Sequence, residues 1–251
     1  MELVDTHCHL TESPLKEQLD GVLTRARERG VTRIIVPAYD HASWPAVRAL
    51  AHLPGVALAF GLHPWEAGEE IEPKELKSWL QDCGAVAVGE VGLDFKIERF
   101  DRAVQERVLR AQLEVACDLE LPVLLHCRGA FEEMLVILKE YAPRLTGVIH
   151  AFSRGPELAA RFVALGLCVA FGGAVTRPQS RAQKAVVALP LERIVLETDA
   201  PSIGLDKIPA AEVEPLHVAD VARVVAELRG VELGELADKT SDNARRLFRL
   251  R

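Results

Sequence analysis

The chain has 251 residues, 49 % of them hydrophobic and 27 % charged, with a formal net charge of −7. That is a globular balance, and no apolar run approaches the ~20 residues of a membrane-spanning helix. The acidic excess argues against a protein that coats nucleic acid through many lysine and arginine contacts. It leaves room for an enzyme that grips a few phosphates through metal ions.

Glu2 and Asp5 stand where a secretory leader would be basic, so no signal segment is expected. Five cysteines without Cys-X-X-Cys spacing suit reduced thiols in a cytoplasmic protein.

Apolar runs alternate with amphipathic stretches along the chain. Strands are predicted at Leu3–Cys8, Arg33–Pro37, Ala57–Leu62, Ala85–Glu90, Pro122–His126, Gly147–His150, Leu167–Phe171 and Arg193–Thr198. Helices are predicted between them at Leu15–Arg29, Ala42–His52, Pro73–Gln81, Phe100–Leu119, Phe131–Tyr141, Pro156–Leu165 and Pro178–Ala188, and after them at Glu214–Leu228 and Leu233–Leu247. The fourth helix shows its period in Val104, Val108, Leu109, Leu113 and Ala116. Near-continuous apolar runs such as Val86-Ala87-Val88 and Val123-Leu124-Leu125 suit a parallel sheet covered on both faces. Eight strand–helix units predict a single α/β domain over residues 1–251, a (β/α)8 TIM barrel. A doubly wound open sheet is the alternative, weakened because no Gly-rich phosphate loop follows the first strand.

Such a barrel carries its chemistry at the carboxyl ends of the strands. There the sequence places His7, His9, His63, Glu90, His126, His150 and Asp199, so five of the eight histidines fall on one rim. His41, His52 and His217 lie in helices or helix starts. Alternation along the first strand puts Asp5, His7 and His9 on one face, with Thr6 and Cys8 on the other. Cys8 and Cys127, each following a candidate ligand, are read as buried packing residues.

Histidine, glutamate and aspartate are ligands for zinc, manganese and similar divalent ions. Six of them exceed one tetrahedral site with an open position and divide between two ions. One ion takes His7, His9 and Asp199, the other takes His126 and His150, and Glu90 bridges the pair. Two ions about 3.5–4 Å apart stabilise the attacking and leaving oxygens of a displacement and activate water near neutral pH.

His7-Cys8-His9, Gly61-Leu62-His63-Pro64, Gly89-Glu90-Val91-Gly92-Leu93-Asp94, Leu125-His126-Cys127-Arg128, Ile149-His150-Ala151-Phe152-Ser153 and Glu197-Thr198-Asp199-Ala200-Pro201 occur in that order, ahead of a C-terminal Asn243-Ala244-Arg245-Arg246-Leu247-Phe248. Together they resemble the TatD family of metal-dependent deoxyribonucleases over essentially the whole chain. The resemblance implies a TIM barrel of the metallo-dependent hydrolase type and two divalent ions (Zn, Mg or Mn) at the residues named. It also implies hydrolysis of DNA phosphodiesters, often from the 3′ end, with Asp199 orienting or deprotonating the attacking water. The chain departs from the family in three places. Gly129 stands where an Asp commonly follows the Arg, and Phe152-Ser153-Arg154 replaces Phe-Ser-Gly. The loop after Asp199 reads Ser202-Ile203-Gly204-Leu205 and then Val213-Glu214-Pro215, with Lys207 its only basic residue.

Glu90, Asp199 and His63 form the expected catalytic set. His63 is a candidate to donate to a phosphate oxygen or act as general acid, or else to pack behind the ligands. Arg128, on the His126 face, is a phosphate contact or a structural ion pair. Trp65 stacks a base or packs its loop. Asp5 and Glu197 orient their neighbouring ligands or form buried ion pairs, and Asp94 caps the next loop or holds a ligand. The expected partners are DNA ends or a small phosphodiester, with no membrane, and the chain is expected to act as a monomer. Two other classes stay open. One is an amidohydrolase-type enzyme cleaving C–N or lactone bonds, which in several cases bridges its metals with a carboxylated lysine where this chain has Glu90. The other is a non-catalytic, metal-stabilised binding module.

Overall fold

A computed structural model describes residues 1–68, 71–98 and 101–250. Its eight strands are β1 (Leu3–Asp5), β2 (Val31–Pro37), β3 (Val56–Phe60), β4 (Ala87–Asp94), β5 (Val123–Arg128), β6 (Gly147–Ile149), β7 (Cys168–Phe171) and β8 (Ile194–Leu196). They pair in parallel and in sequence order. Beyond β1 and β8 the two edges meet. Thr6 N–H donates to the Leu196 carbonyl (3.0 Å), Asp199 N–H to that of His7 (2.9 Å), and His9 N–H to that of Ala200 (2.8 Å), closing the ring into a (β/α)8 barrel.

The helices are α1 (Leu19–Glu28), α2 (Trp44–Ala49), α3 (Pro73–Asp82), α4 (Arg102–Leu119), α5 (Phe131–Tyr141), α6 (Pro156–Ala164), the single turn α7 (Gly173–Thr176), α8 (Arg181–Ala188), α9 (Val218–Arg229) and α10 (Leu233–Phe248). Among the described residues no helix is long and apolar enough to cross a membrane.

The apolar runs of the strands are continuous because both faces are buried. On β5, Val123 and Leu125 join the layer between sheet and helices, while Leu124 points into the barrel. Ile35 likewise faces inward between Ile34 and Val36. The inner core, with Val4, Ala87, Val148 and Val195, is stoppered by Ala244 and Phe248 of α10. The C-terminal motif therefore closes the amino-terminal end of the barrel. Asn243 secures it by donating through Nδ2 to the carbonyls of Leu191 (2.7 Å) and Ile194 (2.8 Å).

Some boundaries differ from the sequence reading. The first strand ends at Asp5, three residues early, because Asp5 turns its side chain onto the backbone N–H of His7 (3.2 Å). The fourth strand continues past Glu90 to Asp94. Val88 faces Val123 while Val91 faces Leu125, so β4 carries one extra residue, a bulge centred on Gly89-Glu90. Helix α4 starts at Arg102, capped by the Asp101 carboxylate; the predicted first residue, Phe100, lies outside the described residues.

Candidate metal centre

The β4 bulge places Glu90 at the centre of the rim. Gly89 permits it, since a Cβ there would lie 2.5 Å from Leu124 Cβ. Glu90 is 4 % exposed, and each of its oxygens faces a different group of imidazoles. Oε1 lies 2.8 Å from His150 Nε2, 3.0 Å from His126 Nδ1 and 3.4 Å from His63 Nε2. Oε2 lies 3.3 Å from His7 Nε2 and 3.7 Å from His9 Nε2. Asp199 faces the second group, its Oδ1 3.4 Å from His9 Nε2 and 3.9 Å from His7 Nε2. All seven side chains singled out at the strand ends thus converge, and a pocket of about 280 Å³ opens onto six of them, with His7 buried behind. His7 and His9 meet although β1 has already ended, because the segment continues as an extended edge bonded to Ile35 and Ala200.

The donor chemistry fits a pair of divalent ions. His7 Nε2 and His9 Nε2 lie only 3.2 Å apart, and His126 Nδ1 lies 3.3 Å from His150 Nε2. Ring nitrogens that face one another and a carboxylate together are what a shared cation needs. The opposite nitrogens, Nδ1 of His7, His9 and His150, are buried without a hydrogen-bond partner among the described residues. Three donor groups recur within this cluster: His7, His150 and Asp199; His7, His9 and Glu90; and His63, Glu90 and His126. His63 therefore stands against this cluster as well as at the pocket wall.

The same crowding sets the charges. Burial opposes ionisation of Glu90, but His150, His63 and His7 outweigh it and hold the carboxyl well below its ordinary range. Burial also works against charge on His150, yet Glu90 raises it to about 10. Burial dominates at His7, lowered to about 4. His63 is lowered by burial too. Its Nδ1 accepts the Trp65 N–H (3.2 Å), so the neutral ring carries its proton on Nε2, towards Glu90.

Other rim residues hold this arrangement. Asp94 does more than cap a loop. It accepts from Lys96 N–H (2.9 Å), Trp65 Nε1 (2.8 Å) and Arg128 Nε (3.0 Å), and stands 3.3 Å from His126 Nε2. Arg128 is thus ion-paired while half its side chain stays exposed, and Trp65, 56 % exposed, is tied by its indole N–H. Among the described residues Asp5 makes no hydrogen bond to an imidazole. It accepts from the Thr198 hydroxyl (2.6 Å) and N–H (2.9 Å), tying the segment after β1 to the one after β8, and burial pushes its carboxyl up to about 7. Glu197, pushed up to about 8 by burial, accepts the N–H of Ala151 (2.5 Å), a residue held in the left-handed region directly after His150.

Two contributions were not read from the sequence. Gln112 clamps Leu62 through both its N–H (2.7 Å) and its carbonyl (3.0 Å), and Gln105 holds Asp94 N–H (2.9 Å) and the Asp94 and Pro64 carbonyls. Both lie on the buried face of α4, where a polar residue amid an apolar stripe was the available signal. Tyr39 and Glu12 line the pocket, and Tyr39 could have been found from its place just past the end of β2. The departures in the loops have local reasons. Gly129 adopts φ +74°, and a Cβ there would fall 2.9 Å from the Lys96 Cγ. Val213 is buried, and Glu214 pairs with Arg25 of α1 at 2.7 Å.

Residues 4–249 match the family model of TatD-related DNases. The uncharacterized metal-dependent hydrolase YjjV of Escherichia coli (strain K12) is 36 % identical over 253 residues, spanning 98 % of this chain and 97 % of its own. Its crystal structure gives a TM-score of 0.93, covering 99 % of this chain and 98 % of that one. The 3′-5′ ssDNA/RNA exonuclease TatD of Erwinia tasmaniensis is 34 % identical over 260 residues, spanning 99 % and 100 % of the two chains. A binuclear donor set at the carboxyl rim of the barrel and likeness sustained from one terminus to the other lead to one conclusion: the chain is a metal-dependent hydrolase and belongs to the TatD-related DNase family.

Proposed function

We propose that the chain, acting as one domain over residues 1–251, hydrolyses phosphodiester bonds at nucleic-acid ends, taking nucleotides from the 3′ end of a strand. The observation that carries this reading is the division of Glu90, each of whose oxygens faces its own imidazole group. His7, His9 and Asp199 would hold one ion, His126 and His150 the other, and Glu90 would serve both. Bound there, two divalent ions supply Lewis acidity at the phosphoryl group and an activated water. Asp199, whose carboxylate lines the pocket, orients the attacking water and takes its proton. His63 presents its Nε2 proton to a phosphate oxygen, and the half-exposed Arg128 guanidinium, steadied on Asp94, receives another. Trp65 offers an exposed indole face at the mouth for the terminal base.

No lysine lines the pocket among the described residues, which supports Glu90 as the bridging carboxylate. The exposed large apolar side chains among the described residues are few (Met1, Trp65, Val136 and Val187), which supports a monomer. Five free thiols support a reducing, cytoplasmic setting.

The test pairs metal content with turnover. Protein reconstituted with Mg, Mn or Zn is expected to hold two ions per chain and to shorten 3′-labelled DNA. Glu90→Gln keeps the shape but loses the charge and one metal contact. It is expected to lose one ion and at least ~10²-fold in rate, with an unchanged circular dichroism spectrum. A folded Glu90→Gln protein with near-normal nuclease activity would overturn the bridge and the mechanism with it.

A further inference from the structure

A groove that the reaction above does not use runs along the rim beside the metal pocket. It begins at Gly129, passes between the starts of α5 and α6, and ends on α8 at Arg181 and Lys184. Two adjoining depressions form it, and Arg154, Glu157 and Leu158 line both. Gly129 is three residues past His126, so the groove starts within about 11 Å of that α-carbon, at most ~3.6 Å per residue. Arg154, four residues past His150, is the residue that replaces the family's usual glycine.

The charge of the groove is opposite to that of the chain. Arg154, Arg181 and Lys184 are exposed, and among the described residues none of them is ion-paired to a carboxylate. Arg154 is steadied by the Phe131 ring, its guanidinium carbon 5.2 Å from the centroid. Arg181 and Lys184, three apart on α8, share a face. The acids nearby are already taken, Glu132 by Arg161 at 2.5 Å and Glu133 by Arg102 at 3.2 Å, which leaves Glu157 against three cations. In a chain of net charge −7, this concentration of unpaired positive charge next to the reaction centre marks a place for an anion.

We propose that this groove is the track for the single-stranded continuation of the substrate, with successive backbone phosphates on Arg154, Arg181 and Lys184. The proposal rests on the nuclease reading above. The strand is single because the donors are buried beneath the pocket mouth, where an unpaired end reaches them and a stacked duplex end does not. The residues next to that end therefore leave the pocket unpaired and cross the rim where the cations stand. Because the contacts are to phosphate, the track is indifferent to base sequence.

The experiment compares the metal-loaded wild type with the triple variant Arg154→Ala, Arg181→Ala, Lys184→Ala on three substrates: a labelled 12-nucleotide oligothymidine, a dinucleotide and a chromogenic phosphodiester. The variant is expected to raise the KM for the 12-mer about tenfold or more. Its kcat and its activity on the two short substrates should stay unchanged. Three lost phosphate contacts should also flatten the salt dependence of 12-mer binding by about 2 in slope, at ~0.7 per contact on a single strand. Equal KM and equal salt slope for the 12-mer in the two proteins would overturn the track and leave the nuclease reading standing. A KM rise as large for the dinucleotide as for the 12-mer would also overturn it, because the damage would then lie in the pocket. A wild type that hydrolyses the chromogenic diester but neither binds nor cleaves the 12-mer would overturn both readings.

Discussion

Asp94 shows how much of a metal site lies outside its ligands. Its buried carboxylate touches His126, Arg128, Trp65 and the turn at Lys96, so one charge fixes a donor ring, a candidate phosphate contact and the pocket mouth. Those hydrogen bonds overcome the cost of burial and hold the carboxyl below its ordinary range. Removing such a partner leaves the imidazole free to turn and typically costs 10–100-fold in metal affinity or activity. Asp94→Ala is therefore expected to weaken binding of one ion of the pair by about that factor while leaving the other in place. Calorimetric titration of metal into the metal-free protein checks this; unchanged affinity would reduce Asp94 to a loop cap. Residue by residue, the convergence of the seven donors was legible because each follows an apolar run, and in a barrel all strand ends share one rim. The work of Asp94, Asp5 and Glu197 was not. Their partners Arg128, Thr198 and Ala151 are set by neighbouring strands and loops, up to 193 residues away in the chain.

Among the elements, β4 and α4 determine the site together. The sequence places a strand ending at Glu90, whereas the observed strand carries a bulge there and continues for four more residues. A bulge is a property of pairing with β5, and the residues 85–90 alone do not contain it. Helix α4 was readable from its apolar period, yet its buried Gln105 and Gln112 decide how the loops after β3 and β4 sit. Gln112 satisfies both backbone groups of Leu62, next to His63, and is 1 % exposed. Gln112→Leu would keep the helix and the volume but strand a buried N–H and a buried carbonyl, each costing about 1–3 kcal/mol. A loss of roughly 2–6 kcal/mol is expected by denaturant titration, together with lower turnover as the His63 loop loosens. Full stability in this variant would show that water replaces the amide.

At the scale of the whole molecule the barrel separates its two ends, and the separation makes a prediction. The donors stand at the carboxyl rim, while α10 seals the opposite mouth with Phe248, 1 % exposed against the inner core. The eight-strand pattern announced the barrel because strands buried on both faces read as unbroken apolar runs. The stopper was visible only as part of the C-terminal motif, with nothing in its spacing to say that it enters the barrel. Phe248→Ala would leave a cavity bounded by strands that cannot collapse inward, and such truncations cost about 3–5 kcal/mol. In a chain of this size each kcal/mol moves the melting temperature by roughly 2–4 °C, so a fall of about 6–20 °C is expected. The metal-binding rim is built by other residues at the other end. Metal content and kcat, measured well below the lowered melting temperature, should therefore match the wild type. If Phe248→Ala lost metal or turnover while still folded, the two ends would be coupled, and the barrel could not be treated as a rigid frame for the site.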